Sequence, residues 1–261
     1  MTAVSITGAT GPYKILAVTR DVNSPSSQRL LEQSTNIQLV EGNLDNRHEI
    51  FRNAKKAVST PIWGVLSVQT ANRNSTSEET QRKALIDESV KNGVKYFIYS
   101  CVDRGGEASI NSPTRVPHFI NKHNIEQHLM AKTRKGEMDW TILRPTAFFE
   151  NFVPGFLGKV FNTSWRIALK GKPLQLVSTS DIGYFGALAF PDPERYKSRA
   201  IFLAGDELTF GEMARIYRRK TGNAIPTTFS LPCHIFMASM KDMGYMFKWF
   251  HDEGYKQTLK T

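Results

Sequence analysis

Short apolar segments that alternate with longer polar segments limit what this chain can fold into. The apolar segments are residues 3–7, 15–19, 37–40, 62–68, 96–99 and 141–143. Near-continuous apolar strands with longer connections are typical of a parallel sheet whose two faces are both covered. The pattern therefore predicts an α/β fold with a doubly wound, mostly parallel sheet.

The composition is that of an ordinary globular protein, with 40% hydrophobic and 22% charged residues in a chain of 261. No apolar run approaches the roughly 18 residues of a membrane span, so no membrane partner is expected. The first residues lack the basic and apolar regions of a secretory signal, and two cysteines exclude a disulfide framework. These features predict a soluble protein of the cytoplasm, with the nucleus as a further location.

Lysine and arginine outnumber aspartate and glutamate by 34 to 24, which gives a formal charge of +10 and favours anionic partners. The basic residues are spread along the chain, for example at Arg82 and Lys83, and we interpret most of them as solvated. No DNA-binding signature accompanies them, so direct nucleic-acid binding is not expected. The histidines show no ligand spacing, and we assign no metal site.

A glycine motif, Ile-Thr-Gly-Ala-Thr-Gly, occupies residues 6–11 at the end of the first apolar segment. Such a turn lets backbone N–H groups approach a pyrophosphate at a helix N-terminus. We therefore predict dinucleotide contacts from Gly8, Thr10 and Gly11. Only three residues, 12–14, then precede the next apolar segment.

A connection of three residues cannot join parallel neighbours, because a parallel crossover needs about a dozen residues including its helix. Either the two segments form an antiparallel hairpin, which a Pro-Tyr-Lys turn suits poorly, or the first helix and the third glycine of the motif are missing. We favour the second interpretation. The lost donors, at roughly 1.5–3 kcal/mol for each charged hydrogen bond, would then change a micromolar cofactor site into a millimolar one.

Polar residues after the second and third strands are further candidates for cofactor contacts. Arg20 lies where the adenosine ribose is expected, and an arginine there favours NADP over NAD. The alternative is a solvated arginine in a polar loop. Asn43 and Leu44 are predicted to border the adenine, with a simple Asx turn as the alternative.

The pattern changes near residue 152 to shorter elements rich in aromatic residues and glycine. We therefore predict a dinucleotide-binding domain at 1–151 and a smaller C-terminal α/β domain at 152–261, which binds a substrate or partner at the carboxyl edge of the sheet. Within it, Thr209 and Glu212 form a candidate capping box, and Gly222 suits the end of that helix.

Five stretches of the chain resemble the NmrA-like family, which consists of atypical short-chain dehydrogenase relatives. They are residues 6–11, 64–69, 116–129, 140–152 and 177–183, and the resemblance extends over nearly the whole chain. It implies a Rossmann domain, a smaller C-terminal domain and an NAD(P) site between them, with Ser67 and Gln69 among the cofactor contacts. Family members usually continue the glycine motif into a full helix, and this sequence departs from them there.

The resemblance also places His118 and Lys122 where dehydrogenase relatives carry a Tyr-x-x-x-Lys pair. Four residues apart, the two side chains would share one helix face. His118 would then serve as a general acid near neutral pH, or alternatively as a positioned histidine with no acid/base role. Lys122 would contact a ribose or phosphate, with an ordinary solvated lysine as the alternative.

Residues at the ends of the fifth and sixth strands complete the predicted site. Ser100 would line the nicotinamide pocket, although a serine at a strand end is also unremarkable. Pro145 and Phe148 follow the sixth strand at the expected cleft, and the alternative for the aromatic ring is a place in the core.

The replacement of the expected tyrosine by His118 favours a binding protein over an enzyme. We predict an NAD(P)-binding redox sensor or transcriptional co-regulator with weak or no turnover, which contacts NADP(H) and a regulatory protein partner. The alternatives are an NADPH-dependent oxidoreductase acting on a small carbonyl compound, and a truncated variant that no longer binds cofactor.

Overall fold

The computed structural model describes residues 4–8, 13–68 and 75–258. The strands that build its main sheet are β1 (Val4–Gly8), β2 (Lys14–Thr19), β3 (Ile37–Glu41), β4 (Ile62–Ser67), β5 (Tyr96–Ser100), β6 (Asp139–Pro145) and β9 (Arg199–Leu203). Their order in the sheet is β3-β2-β1-β4-β5-β6-β9, the first six of which follow the Rossmann order. The six predicted strands are confirmed to within two residues at each end.

Helices alternate with the strands from β2 to β6, as a doubly wound fold requires. They are α1 (Pro25–Leu31), α2 (Arg47–Ala57), α3 (Ser75–Lys91) and α4 (Pro117–Lys132). The later helices are α5 (Phe156–Leu169), α6 (Thr179–Ala189), α7 (Pro193–Tyr196), α8 (Phe210–Thr221), α9 (Ser230–Ser239) and α10 (Lys241–Asp252). Short 3₁₀ helices span Gly106–Ile110 and Phe149–Phe152.

Local sequence sets several of these helix ends. At α8 the predicted capping box is confirmed, since the Thr209 side chain accepts from the Glu212 N–H and the Glu212 side chain accepts from the Thr209 N–H. Gly222 ends the same helix with a φ of 73°, a left-handed conformation that glycine adopts without strain. At α1, Ser24 caps the first turn and Pro25 occupies the first helical position.

The first strand runs against both of its neighbours. Gly8, the last residue of β1, pairs with Lys14 and Ile62, while Val4 pairs with Ser67 at the other end of β4. Strands β2 and β3 are parallel, and so are β4, β5 and β6. A single reversed strand therefore separates two parallel groups.

The reversal follows from the length of the connection. Five residues separate Gly8 from Lys14, which is less than half of the dozen or more that a parallel crossover needs. The antiparallel pairing of β1 with β2 shows the hairpin that a Pro-Tyr-Lys turn was thought to suit poorly. The missing crossover helix and the hairpin are two consequences of the same short connection.

The chain divides into two compact units that are built from interleaved segments. The first unit contains residues 1–101, 124–143 and 185–201. Its core is formed by buried aliphatic and aromatic side chains, and strand β5 is buried at every position.

The second unit contains residues 102–123, 144–184 and 202–261. It holds a three-stranded sheet in which β8 (Leu174–Val177) lies between β7 (Ala147–Phe148) and β10 (Asp206–Leu208). Its core is rich in aromatic rings, among them Trp165, Phe247 and Trp249. Across the described residues, no helix combines the length and apolar character that crossing a bilayer requires.

Candidate functional site

The carboxyl ends of the parallel strands bring several predicted cofactor contacts to one edge of the first unit. Ser67 and Ser100 are the last residues of β4 and β5, Arg20 follows β2, and Asn43 lies just beyond β3. In open α/β sheets this edge is where ligands bind. These four predicted contacts therefore lie at the same edge of the sheet.

Gly8, the last described residue of the glycine motif, lies at the opposite edge. Because β1 is reversed, its last residue Gly8 is level with Lys14 and Ile62, which begin β2 and β4. Four residue steps at about 3.3 Å each put Gly8 about 13 Å from the carboxyl edge. Thr10, Gly11 and Gln69 lie outside the described residues.

The loops after β2 and β3 hold their side chains in different ways. Arg20 is exposed to solvent. The Asn43 side-chain oxygen accepts a hydrogen bond from the backbone N–H of Asp45 at 3.2 Å, which closes the Asx turn foreseen as the alternative. Leu44 is buried in the core of the first unit. Of these residues, Arg20 presents the side chain best suited to an anionic ligand.

An arginine from α3 is buried at the carboxyl end of β4. Arg82 is 0% exposed, and its guanidinium donates hydrogen bonds to the Ser67 hydroxyl and to the Val68 carbonyl oxygen, the latter at 3.0 Å. The hydroxyl of Ser67, a predicted cofactor contact, is thus hydrogen-bonded to the Arg82 guanidinium. The interpretation of Arg82 as a solvated residue was wrong.

Burial dominates the electrostatics of this cluster. It lowers the pKa of Arg82 to about 10, and the charges of Tyr99 and Glu78 only partly reverse that shift. Burial also raises the pKa of the Tyr99 hydroxyl well above its usual value, and electrostatic interactions with Cys101, Glu78 and Glu126 add to the effect. At neutral pH the cluster therefore contains a permanent guanidinium charge beside a neutral phenol.

Two buried carboxylates belong to the same region. Glu78 lies on α3, and Glu126 of α4 accepts a hydrogen bond from the Cys101 thiol at 3.2 Å. Sequence reasoning missed both of them as well as Arg82. A signal existed in the spacing, since Glu78, Arg82 and Leu85 recur at intervals of four and three residues on one helix face.

The second unit positions His118 through an aspartate that sequence reasoning also missed. His118 Nδ1 lies 2.8 Å from each carboxylate oxygen of Asp242, and the His118 backbone N–H donates to the same group at 3.1 Å. His118 is in the first turn of α4 and Asp242 in the first turn of α10, 124 residues apart in sequence. An aspartate that holds Nδ1 fixes the ring and leaves Nε2 as the nitrogen for other contacts.

Partial burial alone would raise the pKa of the Asp242 carboxyl group. The hydrogen bonds and charge of His118 lower it by more, so the pKa of Asp242 is below its usual value. The ionised carboxylate is therefore the favoured form in the folded chain.

The remaining predicted contacts of the second unit are largely enclosed. Lys122, one turn after His118, is a buried residue and not the solvated lysine considered as an alternative. Pro145 is buried at the end of β6, and its carbonyl oxygen accepts from the Asp103 N–H at 2.9 Å. Phe148 is half-buried in β7.

We expect Arg82→Ala to lower the free energy of unfolding by about 3–5 kcal/mol, since it removes the cation of a buried polar cluster and leaves the remaining polar groups without their hydrogen-bond donor. Lys83→Ala is the matched control, because Lys83 forms a partly exposed ion pair with Glu79 and its loss is expected to cost less than about 1 kcal/mol. Urea unfolding followed by circular dichroism measures both variants. Equal stabilities of the two variants would contradict the structural role assigned to Arg82.

The His118–Asp242 pair predicts a pH-dependent contribution to stability. Because the folded-state pKa of Asp242 is lowered, the contribution is fully present above the usual aspartate pKa of about 3.9 and is lost as the pH falls through the folded value. We expect Asp242→Asn to reduce the free energy of unfolding at pH 6 by up to about 1 kcal/mol, since Asp242 is 40% exposed and partly screened by water. The difference from the parent should narrow as the pH falls through the lowered pKa of Asp242.

Urea titrations at pH 2, 4 and 6 test this expectation, with Glu107→Gln as a control on an exposed carboxylate. A difference between parent and Asp242→Asn that is the same at all three pH values would exclude the pair as its source.

Comparison with solved structures identifies the architecture. The Citrobacter sp. triphenylmethane reductase complexed with NADP(H) is 14% identical, with a TM-score of 0.66 over 95% of this chain and 84% of that one. An Escherichia coli NADPH-dependent quinone oxidoreductase is 16% identical, with a TM-score of 0.60 over 92% and 78% of the two chains. A Staphylococcus aureus nucleoside-diphosphate-sugar epimerase is 14% identical, with a TM-score of 0.61 over 92% and 80%.

These likenesses show the fold, which is that of Rossmann-type α/β proteins. The sequence adds the family, because residues 2–260 match the model of the NmrA-like family. The match extends through both compact units and confirms the resemblance drawn from the five sequence stretches. The chain belongs to the NmrA-like family.

Proposed function

We propose that this chain is a regulatory member of its family, which binds NADP(H) weakly, does not turn it over, and reports cofactor occupancy to a protein partner. The observation that carries the proposal is the direction of β1. A strand that runs against β4 presents its terminal Gly8 at the amino edge of the sheet, away from Ser67 and Ser100.

The energetic consequence is the loss of the phosphate-binding loop. A pyrophosphate at the carboxyl edge would lack the positive end of the first crossover helix and two or three backbone donors. At roughly 1.5–3 kcal/mol for each charged hydrogen bond, and about 1.4 kcal/mol for each tenfold in affinity, binding weakens from the micromolar to the millimolar range.

Residual affinity would depend on side chains. The exposed Arg20 at the end of β2 is suited to a 2′-phosphate and would favour NADPH over NADH. The solved structures of the Citrobacter reductase and the E. coli oxidoreductase contain NADP(H) and NADPH, which supports this choice of cofactor. Asn43, Ser100, Lys122, Pro145 and Phe148 remain proposed contacts.

The proposed lack of turnover rests on the acid/base position. By the resemblance to the family, His118 stands where dehydrogenase relatives carry a tyrosine. The buried Arg82 also engages the hydroxyl of Ser67 at the carboxyl edge.

The first test is a calorimetric titration of the full chain with NADPH and with NADH. We expect a millimolar dissociation constant for NADPH and weaker binding of NADH, and Arg20→Ala should remove the difference between the two. Insertion of a helical crossover of about twelve residues after Gly11 should strengthen NADPH binding at least tenfold, because it lets β1 run parallel. The same insert after the exposed Gly222 is the matched control and should leave the affinity unchanged.

Micromolar NADPH binding by the parent chain would contradict the proposed loss of the phosphate loop. No binding at millimolar NADPH by a demonstrably folded chain would instead favour a scaffold that has lost the site.

A second candidate function is an NADPH-dependent reductase of small carbonyl compounds, and the His118–Asp242 pair favours it. An imidazole oriented by a carboxylate is a common general acid, and Lys122 follows one turn later on α4. NADPH oxidation over a panel of carbonyl compounds separates the two functions. Sustained turnover that Lys122→Ala abolishes would overturn the regulatory proposal, whereas the regulatory proposal predicts no turnover above the background without protein.

A further inference from the structure

The second unit exposes large apolar side chains on two neighbouring helices. We call them the apolar strip: Val153, Phe156, Leu157, Phe229, Leu231 and Ile235. Phe229 is 82% exposed, and four of the others exceed 60%. Such exposure is costly in water, and contiguous apolar surface of this kind marks an interaction site.

Contacts between α5 and α9 bring the two parts of the strip close together. Thr163 of α5 and Thr228 exchange hydrogen bonds, and further along, Cys233 of α9 lies against the Val160 carbonyl oxygen. The chain from Thr228 into α9 therefore runs in the opposite direction to α5. This antiparallel arrangement places the end of α9 alongside Phe156 and Leu157.

The strip also lies on the outer side of α9. Cys233 is fully buried against α5, while Leu231 and Ile235, two residues before and after it, are exposed. At 100° per residue these two side chains point about 160° away from Cys233 on the helix circumference. They face solvent from the side opposite the helix contact.

The exposed charged residues next to the strip in sequence are mainly basic. Lys159 and His234 are exposed within the strip itself, and Lys241 follows α9. The nearest acids in sequence, Glu150 and Asp242, are bonded to Thr179 and to His118. Apolar side chains with cations beside them, in a chain whose net charge is +10, match an anionic lipid surface.

We propose that the apolar strip docks this protein on an anionic membrane surface, with Phe and Leu side chains inserted among the acyl chains and the flanking cations at the lipid headgroups. Such peripheral contact needs no spanning helix, so it is compatible with the absence of one from the described residues. It qualifies the expectation from sequence that no membrane is involved.

Two other occupants suit the strip less well. A second copy of the chain would bring like charges together, because the net charge is +10 and the strip is flanked by cations. A helical peptide partner needs a groove whose lining is partly enclosed, whereas these side chains protrude. A bilayer accepts protruding side chains without requiring a complementary shape.

Vesicle flotation with the full chain tests the proposal. We expect at least tenfold stronger partitioning onto vesicles of phosphatidylcholine with 30% phosphatidylserine (about one lipid in three, to supply surface charge) than onto pure phosphatidylcholine. Phe229→Ser combined with Leu231→Ser should reduce binding to the anionic vesicles at least tenfold. The matched control, Leu31→Ser with Ile110→Ser, changes two exposed apolar residues outside the strip and should bind like the parent. Circular dichroism melts establish that each variant is folded.

Failure of the folded parent to bind anionic vesicles, or equal binding by the strip and control variants, would overturn the proposal. So would a dimer in analytical ultracentrifugation that the strip variant abolishes, or binding of an acidic amphipathic peptide without any binding of vesicles. None of these outcomes depends on whether the chain binds NADPH.

Discussion

The five-residue connection between β1 and β2 is the constraint on which the first unit depends. It is too short for a crossover helix, so the chain reverses at once and β1 pairs antiparallel with β2 and β4. The sheet still forms without a gap, because the backbone of a strand donates and accepts hydrogen bonds in either direction. What changes is the edge at which Gly8 lies, and the proposed weak binding of phosphate follows from that change.

A buried guanidinium is the second feature that organises this edge. Arg82 satisfies polar groups at the carboxyl end of β4, and its pKa of about 10 keeps it charged under physiological conditions. A buried charge persists only when hydrogen bonds and opposite charges compensate for lost hydration. The carboxyl edge therefore holds a guanidinium whose charge is compensated within the protein, whereas Gly8 lies at the other edge.

The sequence predicted the bounds of the six strands well, because apolar segments separated by polar connections are the segments that become buried. The capping box at Thr209 and Glu212 was equally readable, since it depends on residues three apart. The direction of β1 was harder. The short connection correctly excluded a parallel arrangement of β1 and β2. The Pro-Tyr-Lys sequence argued against a hairpin turn. The pairing of β1 with both β2 and β4 outweighs that turn preference.

Long-range polar partners were out of reach of the sequence. Asp242 lies 124 residues from His118, and nothing local to either residue indicates their contact. Arg82 was misjudged because charged helix residues are usually solvated. The spacing of Arg82 and Leu85 on one helix face could be seen in the sequence. The groups that accept its hydrogen bonds, the Ser67 hydroxyl and the Val68 carbonyl oxygen, lie at the end of β4, which only the fold brings near.

Disulfide trapping in solution tests the direction of β1 most directly. In a background with Cys101→Ser and Cys233→Ser, Val4→Cys and Val18→Cys occupy paired positions and should form a disulfide on oxidation. Gly8→Cys with the same Val18→Cys should not, since Gly8 pairs with Lys14, about 13 Å along the strand. Rapid trapping of the Gly8 variant and none of the Val4 variant would mean that β1 is parallel, and the account of the displaced glycine motif would be contradicted.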